Sequence, residues 1–468
     1  MFCREISRLL LVAGWLLGAS PLLSESLPPE RVRGAVAKSL KLLEFSGSLT
    51  MEQRACFSCH HGSYPAMAAT LGWSRGIDPG QSPFRDQLLR TYDQLSRDVE
   101  RLRQARFAGG QADAPGHALW FLSLAGWPRD SVTAAAVEFF VEHERESDHW
   151  SPELHRPPTV GSHFTTSYVV LRALREYGSP SEAKLADRVR AAGRWVREAV
   201  SEDTEDSVYR LRILHLLGEA PEALQAEGVK LLNGQRDDGG WAQRPLMKSD
   251  AYATGTALSA LLDTEILEPS DPAFKRGAEY LLKTQTEDGS WQVDSRAKQV
   301  QPFFQSGFPG GVHQFISIAA SSWATYALLR SLPETPARKG HRYLDQNDEM
   351  VTDVRKRSAP MKFTDEQVAF FSEKIAPVLR DRCYSCHSAE AKKLKGGLFV
   401  DHPAKLLAGG DSGPPLVPGD PEHSLLLKSL RGLGDMDQMP PKKRLSEAEI
   451  KDFQHWIAMG APVPVGNP

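Results

Sequence analysis

Two short motifs in this sequence have the residue types and the spacing needed to attach haem covalently. Residues 56–60 and 383–387 both spell Cys-x-x-Cys-His. Two thiols three residues apart can add to the two vinyl groups of one haem, and the next histidine can bind the iron. The predicted attachment residues are Cys56, Cys59 and His60 at the first site and Cys383, Cys386 and His387 at the second, with His60 and His387 as iron ligands.

Other uses of these cysteines fit the pattern less well. The two motifs take four of the five cysteines, and Cys3 is the remaining one. A zinc site needs two such pairs from one small fold, whereas these motifs are more than three hundred residues apart. A redox dithiol has no need of the histidine that follows. The sequence therefore predicts two covalently attached haems and no disulfide.

The beginning of the chain resembles an export signal. Arg4 and Arg8 precede an apolar run at 9–17, and small residues follow at 18–20. This order of basic, apolar and small residues is typical of a secretory signal. We therefore predict a signal peptide over 1–25 and a periplasmic or otherwise extracytoplasmic protein. An uncleaved signal acting as a membrane anchor is the alternative. The formal net charge of −3 gives no indication of a nucleic-acid partner.

The elements that must position the first motif are helices that alternate along residues 30–333. Apolar residues recur at helical spacing, and six outer helices each precede an inner one. The outer helices are predicted at 31–45, 84–106, 131–143, 181–200, 221–233 and 272–284. The inner helices are predicted at 60–72, 116–126, 165–177, 206–218, 250–262 and 316–332. Six such hairpins can close into a double ring around a central cavity.

A repeated turn supports the ring. Residues 235–241 and 285–291 both begin with Gln, contain Asp-Gly or Asp-Gly-Gly, and end with Trp, and a weaker copy ends at Trp150. We expect the glutamine to cap the preceding helix and the tryptophan to stack over the turn. The turn resembles the Gln–Trp motif of squalene cyclases and protein prenyltransferases, and this resemblance implies an α/α toroid of about six helical hairpins.

The resemblance does not extend to cyclase chemistry. Squalene-hopene cyclases protonate their substrate with an Asp-x-Asp-Asp motif, whereas the matching region at 248–255 contains one acid, Asp250. We expect Asp250 to cap the helix that follows it. Terpene cyclase activity is therefore not expected, and whether the chain is an enzyme stays open.

A second domain is predicted at 363–465, after a proline- and charge-rich linker at 334–362. It closely resembles the planctomycete-type cytochrome c domain, a small all-α, class I-like cytochrome fold. The matching stretches are 383–393, 395–398, 409–413, 417–421 and 439–441. The resemblance implies that Met439 binds the second iron opposite His387. Met436 is the competing methionine.

The sixth ligand of the first haem is less defined. In a toroid the starts of the inner helices gather at one rim, where the first motif also lies. His117, His163 and His313 each lie near such a start and are the candidate distal ligands.

These features together predict an exported dihaem c-type cytochrome that transfers electrons to a redox partner protein or carrier. Exposed cations after the second motif and after Met439 would steer an acidic partner, or would be an ordinary solvated face. Those cations are Lys392, Lys393, Lys395, Lys442, Lys443 and Arg444. One alternative is a haem-dependent oxidoreductase with a substrate site in the toroid cavity. Another is a toroid that binds a small molecule or lipid, or serves as a scaffold, with accessory haems.

Overall fold

The computed structural model describes most of the chain, which divides into two compact units. The described residues are 27–53, 61–77, 82–105, 107, 111–153, 155–179, 181–298, 303–335, 364–401, 406, 415–416, 419, 421–422, 424–433 and 438–462. The predicted signal peptide, the first haem motif, Met436 and most of the predicted linker lie outside them. None of the described helices combines the length and the apolar character that crossing a membrane requires.

The described helices agree closely with the predicted alternation. Along the first part of the chain they are α1 (Pro29–Gln53), α2 (Ser63–Ser74), α3 (Ser82–Arg97), α4 (Val99–Arg103), α5 (Asp113–Leu124), α6 (Ser131–Glu142), α7 (His163–Tyr177), α8 (Ala183–Glu198), α9 (Thr204–Leu216), α10 (Pro221–Leu232), α11 (Ala251–Asp263), α12 (Pro272–Thr284) and α13 (Gln314–Leu329). A two-residue hairpin, β1 (Trp241–Ala242) and β2 (Ser249–Asp250), precedes α11.

Six of these described helices form a closed inner ring in the first unit, which comprises residues 1–91, 112–128 and 144–345. In ring order they are α2, α5, α7, α9, α11 and α13, and α13 packs back against α2. The starts of α7, α9 and α11 contact one another through Thr165, Glu205 and Tyr252. The ends of α11 and α13 meet through Asp263 and Tyr326. The inner helices therefore run parallel, and the first unit is an α/α toroid.

The outer helices that belong to the first unit pack around the outside of this ring. Helix α1 packs on α13 and α2, α8 on α7 and α9, α10 on α9 and α11, and α12 on α11 and α13. The inner helices are apolar on nearly every side and therefore buried, while α8 and α12 alternate buried and charged faces. This difference in sequence pattern explains which helices lie inside.

The Gln–Trp turns fasten successive outer helices. The Trp241 and Trp291 indoles donate to the carbonyl oxygens of Leu231 and Leu281, at the ends of α10 and α12, over 2.8 and 2.7 Å. The glutamine side chains instead donate to the next outer helix of the ring. The Gln235 amide donates to the Ala273 carbonyl on α12.

Gln285 repeats this role at the seam of the ring. Its amide donates to the Ala35 carbonyl on α1, 2.9 Å away and 250 positions earlier in the sequence. Gln285 is also the C-cap residue of α12, where its backbone N–H donates to the Leu281 carbonyl, so the expectation that glutamine caps the preceding helix is confirmed at this turn. At the first turn the C-cap of α10 is Asn233 instead. The Trp291 indole adds a second donor to the Leu281 carbonyl.

The weaker copy at Trp150 shares the turn's connection to the inner ring. The backbone N–H of Trp150 donates to the Ser167 hydroxyl on α7. The N–H groups of Trp241 and Trp291 donate in the same way to hydroxyls on the inner helices that follow them, at Thr254 and Ser321. All three indoles are buried. The three turns are thus structural equivalents, as the sequence predicted.

Two inner helices approach each other closely at Gly255 on α11. A Cβ atom placed there would lie 2.7 Å from the backbone nitrogen of Ala324 and 2.8 Å from the carbonyl carbon of Trp323, both on α13. Backbone atoms cannot swing aside as a side chain can, so any larger residue must push the two helices apart.

The second unit comprises residues 92–111, 129–143 and 346–468. Helices α4 and α6 pack together there. Its C-terminal segment contains α14 (Asp365–Phe370), a π-helical turn (Phe371–Ile375), α15 (Ala376–Arg382), α16 (Tyr384–His387), α17 (Leu425–Arg431) and α18 (Glu447–Ala458). Capping boxes begin α14 at Thr364 and α18 at Ser446. The core of this segment includes Ile375, Leu379 and Trp456.

We expect the Gly255→Ala substitution to lower the free energy of unfolding of the ring by about 2–3 kcal/mol, because overpacking separates two inner helices. Urea unfolding followed by circular dichroism measures the change.

Gly34→Ala is the matched control, because a Cβ atom on this exposed glycine of α1 meets nothing within 4 Å. It should raise stability by roughly 0.5–1 kcal/mol through helix propensity alone. Equal unfolding midpoints for the two variants would contradict the tight α11–α13 contact.

Candidate functional site

The second haem motif occupies a single tight turn. The backbone N–H groups of Cys386 and His387 both donate to the Cys383 carbonyl, over 3.1 and 2.9 Å. This turn holds the two thiols and the imidazole on one short stretch of backbone. The sequence positions the turn at the end of α15, where Cys383 donates its own N–H to Leu379.

The chain after the motif is fastened back onto it. The Lys395 N–H donates to the Cys386 carbonyl, and the Val400 N–H donates to the His387 carbonyl over 2.7 Å. The side chains of Cys383 and Tyr384 pack against the apolar core of the segment. The motif is therefore held by backbone hydrogen bonds on one side and by apolar packing on the other.

The donor set of this turn fits a covalently bound haem. Cys383 and Cys386 are unpaired thiols. Burial raises the pKa of Cys383 to about 11, so the thiol is protonated at neutral pH. The Nδ1 atom of His387 is buried and has no hydrogen-bond partner in the described part of the chain. Two free thiols and one imidazole on a single turn are the groups that two thioether bonds and one axial ligand require.

Met439 follows α17 in the same segment. Its backbone N–H donates to the Ser429 carbonyl over 2.9 Å, and its side chain is half-buried. No contact among the described residues joins Met439 to His387, so the role of Met439 as an iron ligand stays a prediction. The six cations predicted to flank this haem, Lys392, Lys393, Lys395, Lys442, Lys443 and Arg444, are all exposed.

The first motif, with Cys56, Cys59 and His60, lies outside the described residues. The residue that follows it, His61, is buried against the rings of Phe304 and Phe315. Two positions further along, the Ser63 hydroxyl lies 3.0 Å from Nδ1 of His117.

The three candidate distal histidines have different surroundings. His117 is buried and lies flat against Trp120, with ring centroids 5.8 Å apart. His163 begins α7 and is exposed, and its Nδ1 lies 3.0 Å from Nε2 of His149. Burial and then the neighbouring His149 lower the pKa of His163.

His313 differs from both because one of its ring nitrogens accepts a backbone hydrogen bond. Its Nδ1 accepts the Ser295 N–H over 2.9 Å. In the neutral ring the proton is therefore on Nε2, which disfavours His313 as an iron ligand through that atom. All three histidines stay predictions as distal ligands.

Buried carboxyl groups surround the same rim, and sequence analysis identified only Asp250 among them. Asp250 caps α11 by accepting the Ala253 N–H, as predicted, and burial raises its pKa to about 6. Glu205 accepts hydrogen bonds from Thr165 and Tyr252, and burial raises its pKa well above the ordinary value. The signal that could have identified it is an acidic residue in the first turn of an apolar helix.

Asp113 is the third buried carboxyl of the rim. Its Oδ1 accepts the Thr166 hydroxyl over 2.7 Å, while Oδ2 is buried without a partner in the described ranges. Burial raises its pKa to about 7. Asp113 is therefore partly protonated near neutral pH and able to take up or release a proton.

Aromatic side chains fill much of the space between the inner helices. The rings of Tyr64, Trp120 and Trp323 contact one another with centroids 5.7–6.2 Å apart, and Trp120 also contacts Tyr168. The Trp120–Trp323 contact joins α5 to α13, which are not neighbours in the ring. The helical repeat predicts a central cavity, and at this level large side chains cross it.

Comparison with known proteins identifies one family within the second unit. A model of planctomycete cytochrome c matches residues 383–443. This match contains the second haem motif and Met439 and confirms the resemblance seen in the sequence. A search of curated protein sequences finds no match.

Solved structures with similar arrangements include two kinds of enzyme. The R337A variant of the type II terpene cyclase MstE from Scytonema, in complex with geranylgeranyl dihydroxybenzoate, is 15% identical and gives a TM-score of 0.43, covering 65% of this chain and 98% of that one. The unsaturated glucuronyl hydrolase from Bacillus sp. GL1 is 14% identical and gives a TM-score of 0.41, covering 67% and 100%. The toroid assignment here depends on the contacts between the chain's own inner helices.

We expect the Asp113→Asn substitution to flatten the pH dependence of stability. The folded state keeps the carboxyl protonated up to about pH 7, whereas the unfolded chain ionises it near 3.8. The stabilising contribution of this group is therefore complete below pH 4 and is lost as pH rises through 7, by about 4 kcal/mol. Urea unfolding midpoints between pH 4.5 and 8 measure the slope.

Asp187→Asn is the control, because this aspartate is exposed and, among the described residues, forms an ion pair with Arg190 alone. Its slope should equal that of the unmodified protein. If Asp113→Asn retains the full slope as well, the raised pKa of Asp113 is wrong.

Proposed function

We propose that this protein is an exported dihaem c-type cytochrome that transfers electrons. The main support is the turn at 383–387, where two unpaired thiols and an imidazole lie on one backbone turn. This turn belongs to a segment that matches a cytochrome c family. A bound haem would supply one-electron redox chemistry at this turn.

The residues of the second site have distinct roles in this proposal. Cys383 and Cys386 hold the group covalently, so it stays bound in either oxidation state. His387 binds the iron, and the hydrogen bond from Val400 fixes the backbone that carries its ring. The apolar core beside Cys383 excludes water from one side, which favours the less charged reduced state.

The first Cys-x-x-Cys-His motif is the reason for proposing a second haem. It has the same residue types at the same spacing, directly before the inner helix α2. The rim that α2 helps to form brings His117, Asp113 and Glu205 into one layer. A haem attached there would have protonatable groups within the same unit, which suits electron transfer coupled to proton uptake.

An oxidoreductase is the second candidate function. The observation that favours it is the raised pKa of Asp113 and Glu205, because carboxyl groups that are protonated near neutral pH can act as general acids. Carbon monoxide binding to the reduced protein separates the candidates. A spectral change at one haem would favour an open iron and an enzyme, whereas two unaffected haems would favour electron transfer alone.

We expect two covalent haems in the intact protein, one lost in Cys56→Ala/Cys59→Ala and the other lost in Cys383→Ala/Cys386→Ala. The physical reason is that each pair of thiols supplies both thioether bonds of one haem. Pyridine haemochrome spectra with the mass of the intact protein give the count. One haem in the unmodified protein, removed by the second double variant alone, would contradict the dihaem proposal.

We expect Met439→Ala to lower the reduction potential of the second haem by roughly 0.1–0.3 V, because thioether ligation favours the reduced iron. Potentiometric titration followed optically measures it. Met459→Leu is the control, since this residue is the C-cap of α18 and lies outside the 383–443 stretch that matches the cytochrome family, and the potential of this variant should not change. An unchanged potential in Met439→Ala would assign the sixth ligand to another residue.

A further inference from the structure

Inside the ring, two arginine side chains lie over two tryptophan rings. The guanidinium carbon of Arg172, on α7, is 5.1 Å from the ring centroid of Trp120. That of Arg212, on α9, is 4.8 Å from the centroid of Trp323. The two indoles contact each other at 6.2 Å. The four side chains, which we call the Arg–Trp cluster, therefore form one connected group contributed by four inner helices.

Several hydrogen-bond donors of this cluster have no acceptor among the described residues. Arg212 is 6% exposed and Trp323 is 1% exposed. The Nε and Nη2 atoms of Arg212 and the indole nitrogen of Trp323 are buried without partners. The same holds for Nε of Arg172. Every one of these atoms is a donor, so the groups cannot satisfy one another.

The cluster is also short of negative charge. Arg212 donates through Nη1 to the Asp263 carboxylate over 2.8 Å. That carboxylate is shared, because it also accepts the Tyr326 hydroxyl and lies 3.6 Å from Arg330. No ion pair with Arg172 occurs in the described part of the chain. One carboxylate thus faces more than one guanidinium group.

Buried guanidinium donors that have no acceptor are costly, because they lose their hydrogen bonds to water. Water molecules would satisfy these donors but would add no negative charge beyond the shared Asp263 carboxylate. An oxyanion meets both requirements, since the planar fork of arginine fits carboxylate and phosphate groups through paired hydrogen bonds. The neighbouring aromatic faces of Trp120 and Trp323 suit an apolar body attached to that anion.

We propose that the Arg–Trp cluster is a binding site for the oxyanion group of a small ligand, a carboxylate or a phosphate. Arg172 and Arg212 bind the anion, the Trp323 indole donates a further hydrogen bond, and the aromatic rings hold the part of the ligand next to it. The site belongs to the first unit. It goes beyond electron transfer, because it gives the toroid a ligand of defined charge.

Calorimetric titration of the full-length, haem-loaded protein tests the proposal. The probes are sodium benzoate for the carboxylate and inorganic phosphate for the phosphate, with benzamide as the neutral counterpart of benzoate. We expect at least one anion to bind at a single site and to raise the melting temperature, while benzamide does neither. Binding of benzoate alone or of phosphate alone assigns the class of oxyanion.

Substitutions locate the binding. Arg172→Gln and Arg212→Gln should each weaken anion affinity about tenfold or more, because each removes a charged hydrogen-bond donor. Trp323→Phe keeps an aromatic ring without the N–H and should weaken affinity severalfold. Arg188→Gln is the matched control, since Arg188, on the outer helix α8, lies over Trp150 at 4.3 Å and donates to the Ser147 carbonyl.

Each possible result of these titrations either supports or overturns the proposal. The proposal is overturned if neither anion binds at millimolar concentration, if both arginine variants bind like the unmodified protein, or if Arg188→Gln loses as much affinity as they do. Circular dichroism reports whether each variant folds. Arg172 is only half-buried, so Arg172→Gln decides the question if Arg212→Gln fails to fold. Haem content is measured on the same samples, and its loss would count against the haem proposal alone.

Discussion

The structure of the first unit depends on the closure of its ring. The inner helix α13 packs against α2, and the amide of Gln285 donates to the Ala35 carbonyl on α1. These contacts join residues some 250 positions apart, so they form only after nearly the whole toroid has been assembled. Without them the apolar sides of α2 and α13 would face water. His61 packs at this seam, against Phe315 of α13.

The closed ring then decides which polar groups lie out of water. Inner helices that are apolar all round leave their first-turn side chains at one rim, with little solvent to hydrate them. Asp113 and Glu205 therefore lie in surroundings that favour their neutral forms. Hydroxyl groups of Thr165, Thr166 and Tyr252 supply the hydrogen bonds. The packing that buries Asp113 and Glu205 is therefore also the cause of their raised proton affinity.

Much of the fold could be predicted from the sequence because its signals are local. The helix periods, the Asp-Gly turns and the two Cys-x-x-Cys-His motifs are all readable within short windows. The bounds of α7 and α12 agree with the prediction to within two residues. The capping role of Asp250 was predicted from the residues beside it.

The remaining features depend on residues that are distant in sequence. The side-chain amide of Gln285 donates to the Ala35 carbonyl on the first helix, a partner 250 positions away that no local pattern indicates. The same limit applies to the ring interior. Trp120 and Trp323 are ordinary apolar residues of their own helices, and only closure brings them into contact. Arg172 and Arg212 likewise look like solvent-facing charges in the sequence. Their burial follows from the packing of four helices, which no short window contains.

The parallel direction of the inner helices has an electrical consequence. Each helix carries about half a positive charge at its start and half a negative charge at its end, and six aligned helices add these together. The side chains follow this polarity, since the buried carboxyl groups of Asp113 and Glu205 lie at the starts, whereas Arg330 lies at the end of α13. The toroid is therefore a polarised body. A charge that moves along its axis changes in energy with position, and an electron on a group at the rim formed by the helix starts is stabilised relative to one at the opposite rim.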